Sequence, residues 1–114
     1  MLIQVRTDNH IKNSEALADR IRGEVENALQ PRFQGRLRRV EVYLQDTNGV
    51  KGGVDRRCSI EAHLAGRQPV AVHNAATNVD EAVDGAVEKL VHALDHVVGR
   101  LNDRGGNVPM SGEE

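Results

Sequence analysis

The sequence predicts an α+β domain in the order βαβββα, a four-stranded sheet with two helices packed on one face. Three observations predict it. Two consecutive runs alternate apolar and polar residues, Val40, Val42 and Leu44 in the first and Cys58, Ile60, Ala62 and Leu64 in the second. Two longer stretches carry apolar residues at helical spacing, one on either side of the alternating runs. The chain has 114 residues, enough to bury one core and too few for two. Alternating strands keep one face wet, so both helices belong on the other.

Each element has a local reason. Leu2-Ile3-Gln4-Val5-Arg6-Thr7 is rich in β-branched residues, with Ile3 and Val5 on one side, and reads as a short strand. The first helix is expected from Ser14 to Gln30. Ser14 suits the N-cap, Glu15 favours the first turn, Leu17, Ile21, Val25, Ala28 and Leu29 form a stripe, and Pro31 is expected to end it. From Leu37 to Gln45 the period becomes two, with Arg39, Glu41 and Tyr43 on the polar face. Turn residues follow from Asp46 to Gly53, then a second strand with Arg57, Ser59, Glu61 and His63 on its polar face. These two strands are expected to pair as an antiparallel hairpin. Ala65-Gly66-Arg67-Gln68 reads as the next turn and Val70 and Val72 as the third antiparallel strand. Asn78 with Glu81 three residues on resembles a capping box, and Val79, Ala82, Val83, Ala86, Val87, Leu90, Leu94, Val97 and Leu101 hold one helical face for roughly 25 residues. The folded domain is therefore expected over residues 1–104, with Gly105 to Glu114 as a disordered tail.

Composition narrows the function. Phe33 and Tyr43 are the only aromatic residues, so the core must be aliphatic, and a base-stacking sheet surface is disfavoured. The net charge is −2 but unevenly placed: eleven basic and eight acidic side chains up to Arg57, four and nine after it. Cys58 is the single cysteine, which leaves no disulfide framework and no cysteine-based metal site; its register with Ile60 makes it a small core residue. No apolar run reaches membrane-spanning length and Met1 to His10 lacks a signal-peptide stretch, so a cytoplasmic protein without a membrane partner is expected.

Arginine dominates the candidate chemistry. Arg20, Arg22, Arg32, Arg36, Arg38 and Arg39 face only Glu24 and Glu26 between positions 20 and 39, and a planar guanidinium matches phosphate oxygens. The plainer alternative is a solvated helix end and a charged strand edge. His92 and His96 stand one turn apart with Glu88 one turn earlier, but on the side away from Leu90, Leu94 and Leu101 and with no second ligand cluster, so no metal is assigned. His63 and His73 lie on or near strands without a nucleophile motif, and no phosphate loop or carboxylate pair with a base is present. No catalytic residue, cofactor or small-molecule substrate is assigned.

Asn13-Ser14-Glu15-Ala16-Leu17 at the first helix, and Val79-Asp80-Glu81-Ala82-Val83-Asp84-Gly85-Ala86-Val87-Glu88-Lys89-Leu90 in the second, resemble the hibernation-promoting factor and ribosome-associated inhibitor family. Phe33 is similar to an aromatic the family often carries after the first helix. The resemblance spans about residues 2–104. It implies a double-stranded-RNA-binding-domain-like fold that binds the small ribosomal subunit in the decoding and tRNA channel and silences translation when growth stops. Recognition of folded RNA by shape and phosphate needs arginine and lysine and no exposed aromatic surface, which the composition fits. The chain departs from the family where basic residues are usual: His92, Asp95 and Val98 interrupt the series on the second helix, Glu24 and Asn27 that on the first, and Asp80 replaces an aromatic. The chain is expected to be a short, divergent member, without the C-terminal dimerisation domain of long members.

The expectation is thus a non-enzymatic ribosome-associated factor of stationary phase and stress, contacting small-subunit rRNA through Arg20, Arg22, Arg32, Arg36, Arg38 and Arg39, with Arg57, Lys89 and Arg100 as additions. Its mechanism would be occlusion of the mRNA and tRNA path. The alternative is a divergent paralogue that lost the RNA site and acts as a protein-interaction module, motivated by Asp80, Glu81, Asp84, Glu88 and Asp95 on the second helix. A homodimer through the open sheet face is compatible with this fold, but no sequence feature supports it.

Overall fold

The structure, a computed structural model, describes residues 1–8, 11, 14–33, 35–46 and 56–106, with side chains described up to residue 99. The order is β1 (Leu2–Thr7), α1 (Ser14–Phe33), β2 (Leu37–Asp46), β3 (Arg56–Leu64), β4 (Val70–Ala76) and α2 (Val79–Gly106). The strands lie in the sheet order β1-β2-β3-β4. β1 runs parallel to β2, with Ile3 opposite Val40 and Val5 opposite Val42. A parallel neighbour requires a crossover, which α1 supplies. β2 and β3 form the expected antiparallel hairpin, with Val42 opposite Ile60, and β4 adds to β3 in the same sense. Part of the turn predicted from Asp46 to Gly53 lies outside the described residues, as does the predicted tail after Gly106. Gly105 and Gly106, expected to open that tail, instead end α2.

One side of the sheet carries the core. Val40, Val42, Leu44, Cys58, Ile60 and Ala62 are buried there under Ile21, Val25, Leu29 and Phe33 of α1 and Ala82, Val83, Ala86, Leu90 and Leu94 of α2. α1 lies over β1 and α2 over β3 and β4. Among the described residues no buried side chain is polar apart from the thiol of Cys58, and Phe33 is the one aromatic in an otherwise aliphatic interior. The small side chains Ala82 and Ala86 bring the α2 backbone close to the strands. Neither helix is long and apolar enough to cross a membrane among the described residues.

Two further boundaries differ from the sequence reading. α1 continues through Pro31 to Phe33. A proline near a helix end removes a single backbone bond and its fixed φ already suits a helix, while Phe33, 2% exposed, anchors the last turn in the core. The stop comes at Gly35, whose φ of +88° reverses the chain so that the Arg36 amide bonds the Phe33 carbonyl at 2.9 Å. At the start of β2, Leu37 pairs with Leu64 but Arg39 pairs with His63, so Arg38 is the extra residue of a β-bulge. Strict alternation backward from Val40 would drive Arg38 into the core. The bulge turns it out, and Arg38 and Arg39 are both exposed.

α2 begins as its cap predicts, with the Glu81 amide donating to Asn78 Oδ1 at 2.8 Å. Gly85, to which the sequence assigns no purpose, is a point of close approach. The Asn74 side chain of β4 crosses the helix there, and its Nδ2 donates to the Glu81 and Ala82 carbonyls at 3.3 Å each. A β-carbon on Gly85 would collide with the Asn74 amide group.

This crossing makes a non-additive prediction. Gly85→Ala should stabilise α2 by about 1 kcal/mol through helix propensity only when Asn74 is first replaced by Ala. In the wild-type background the displaced amide should cancel that gain through loss of its two hydrogen bonds, about 0.5–1.5 kcal/mol each. Urea denaturation of both single variants and the double variant measures the coupling.

Candidate nucleic-acid interface

The predicted arginines fall into two groups. Those on α1 are held by carboxylates. Arg20 pairs with Asp80 of α2 at 2.7 Å, Arg32 with Asp95 of α2 at 3.4 Å, and Arg22 with Asp19 at 2.7 Å within α1. The two helices run in the same direction, so Arg20–Asp80 ties their first halves and Arg32–Asp95 their second. Acidic residues that look hostile to phosphate in the sequence are thus counter-ions for α1. Each pair is exposed, with side-chain exposures of 59% and 67% for Arg20 and Asp80, and such pairs contribute little to stability.

Arg22 and Lys89 also guard the sheet edges. The Arg22 Nε donates to the Ile3 carbonyl of β1 at 3.4 Å, and the Lys89 Nζ to the His73 carbonyl of β4 at 3.0 Å. β1 and β4 are the two outer strands. These cations therefore cover carbonyls that an added strand would use.

The second group gathers at one end of the sheet. β2 starts there, β3 ends there, and the Ala65 amide bonds the Arg36 carbonyl at 3.2 Å, bringing the β3–β4 turn beside the end of α1. Arg36, Arg38 and Arg39 lie at this end, next to the last turn of α1. Arg67, a plain turn residue in the sequence, joins them; the hairpin pairing of Leu37 with Leu64 is what places it. Gly66, with φ +71°, makes the tight turn that presents it, at the rim of an open depression lined by Gln68, Val70 and Val97. Arg39 is engaged by Glu41 at 2.9 Å. Arg38 and Arg67 are exposed, and among the described residues no carboxylate pairs with either. Arg57 is exposed on the open sheet face toward the opposite end, across from Gln45 and Ala75. Arg100 is within α2, its side chain outside the described residues.

Between the helices sits an acidic contact. Glu24 of α1 is pushed up to about 7, first by burial and then by a hydrogen bond to Asp84 and the charges of Asp84 and Asp80, against the opposing effect of Arg20. Below it, burial and the nearby Glu24 charge push the Cys58 thiol up to about 12. Cys58 is a neutral core residue, as its register predicts.

The sequence profile of the family described as "Sigma 54 modulation protein / S30EA ribosomal protein" matches residues 3–102. The chain belongs to this family. It is a family of ribosome-associated proteins, not of enzymes. Among solved structures, the N-terminal domain of Thermus thermophilus Protein Y is similar at 22% identity and TM-score 0.66, covering 85% of this chain and 99% of that one. A ribosomal subunit interface protein from Coxiella burnetii is similar at 15% identity and TM-score 0.69, covering 87% and 99%. At these identities the likeness shows the shared fold. A comparison with curated proteins finds no match.

For this S30EA-family member, the helix seam yields a pH prediction. Glu24 has an ordinary value of 4.5 and a folded value near 7, so the folded chain binds more protons than the unfolded one. Its contribution to stability is fully present below about 4.5 and is lost as pH rises through about 7. Urea denaturation from about pH 5 to about pH 8 should show stability falling with pH, and Glu24→Gln should flatten that fall; an unchanged slope in the variant would remove Glu24 as its source.

Proposed function

We propose that the protein binds the small ribosomal subunit through rRNA phosphates, with the sheet end that carries Arg36, Arg38, Arg39 and Arg67 as its contact surface, and silences translation by occupying the mRNA and tRNA path. Family membership supports the ribosome as partner. The observation that carries the surface is the placement of Arg36, Arg38 and Arg39 at the start of β2 beside Arg67 of the β3–β4 turn, with Arg38 and Arg67 exposed and unpaired by carboxylates among the described residues. Guanidinium groups from separate segments suit the irregular phosphate spacing of folded RNA. Tyr43, 41% exposed on the open face, is too isolated to make a stacking platform. The mechanism is exclusive occupancy: a folded domain in the path competes with mRNA and tRNA for space, and no bond is made or broken. The setting is the cytoplasm of a cell that has stopped growing.

The ion pairs add a second reading. Because Asp80 and Asp95 neutralise Arg20 and Arg32, the helical face is poorly suited to phosphate, which favours a protein partner on that side.

Co-sedimentation with small subunits across a salt series tests both. Saturable binding that weakens steeply with salt is expected. Arg38→Glu with Arg67→Glu should abolish it at moderate salt, and each phosphate deprived of its arginine should lower the log–log salt slope by about one. Asp95→Asn, which releases Arg32, should leave stability within about 1 kcal/mol and not weaken binding. No binding at low salt would overturn the RNA surface and leave the protein-partner reading.

A further inference from the structure

The open face of the sheet carries an arrangement that ribosome binding does not explain. Glu41 of β2 and Glu61 of β3 stand directly opposite each other, a placement of like charges that costs stability in an antiparallel pair. His63, two residues beyond Glu61, lies on the same face, and its Nε2 is 3.3 Å from Glu61 Oε1. That nitrogen is shut off from solvent and has no hydrogen-bond partner among the described residues. One imidazole nitrogen and one oxygen from each carboxylate lie within 4.8 Å of one another. Arg39 holds Glu41 Oε2 at 2.9 Å, which fixes that carboxylate and leaves its second oxygen for another ligand.

We propose that Glu41, Glu61 and His63 form a three-ligand site for one divalent transition-metal ion, with Zn²⁺ the best match. Two ligands at alternate positions of one strand and a third directly across on its neighbour converge on a point above a sheet, because all three side chains leave the same face. A four-coordinate ion about 2.1 Å from its donors places those donors roughly 3.4 Å apart. The His63–Glu61 separation is 3.3 Å, and all three donors lie within 4.8 Å of one another, so side-chain adjustment alone closes the site. One imidazole and two carboxylates are a donor set that zinc accepts, with an open position toward solvent. An ion would also remove both anomalies, bridging the facing carboxylates and giving the orphaned nitrogen a ligand to bind. The sequence does not disclose such a site, because its one pair of histidines at ligand spacing is His92 and His96 on α2, whereas these ligands meet only through strand register.

The test is calorimetric titration of the full chain with ZnCl₂, alongside the ¹H–¹⁵N signals of the histidine rings. The expected result is one saturable equivalent, a shift of the His63 ring signals, and at least about tenfold weaker binding in His63→Gln and in Glu61→Gln. All three ligands are partly exposed strand residues, and circular dichroism of each variant serves as the check that it folds. His92→Gln with His96→Gln should leave the equivalent intact. Absence of saturable binding, or binding that disappears with His92 and His96 and survives His63→Gln, overturns the site. A protonated His63 paired to Glu61, with ring signals unmoved by zinc, does so as well.

Discussion

Val40, Val42 and Leu44 cannot slip by one position without exchanging places with Arg39, Glu41 and Tyr43, and that constraint fixes the rest of the molecule. Once those three residues and Ile60 and Ala62 opposite them are committed to the interior, α1 and α2 have one face on which to pack. Every charged strand residue is then sent to the open face or to an end of the sheet. The arginine end, the carboxylate pair above β2 and β3, and the guarded edges all follow from a register held by aliphatic packing.

Charge in this chain is arranged by pairing more than by abundance. Asp80 and Asp95 oppose Arg20 and Arg32 across the helices, Asp46 holds Arg56 at 3.1 Å beside the hairpin, and Glu41 holds Arg39. The formal excess of arginine between positions 20 and 39 therefore does not produce one uniform positive surface. It produces a largely neutralised helix pair and a sheet end with exposed cations, a distribution set by which arginine has a carboxylate within reach.

The βαβββα order, the hairpin, the aliphatic core, the cap at Asn78 and the buried thiol are all legible in the sequence, because each rests on local periodicity or on a short-range signal. What is not legible depends on long-range pairing. Arg38 needs the bulge opposite Leu64 and His63 to be seen as exposed, and Arg67 needs the hairpin to bring its turn beside Arg36. Gly85 has no meaning until Asn74 lies across it. The stop expected at Pro31 fails for a physical reason: a proline in a final turn removes little, and a buried Phe33 outweighs it. In the sequence the acidic residues of α2 look like a departure from a basic series, and only the parallel run of the helices shows two of them, Asp80 and Asp95, to be counter-ions.

The placement of Arg22 over the Ile3 carbonyl and Lys89 over that of His73 bears on abundance. A small sheet with two outer strands can grow by accretion, copy upon copy, whenever the chain is crowded. A cation at each margin makes that growth costly, since an incoming strand must strip it from its carbonyl and bury it or push it aside. Cations set in this way oppose strand-by-strand accretion when copies of the chain are crowded together.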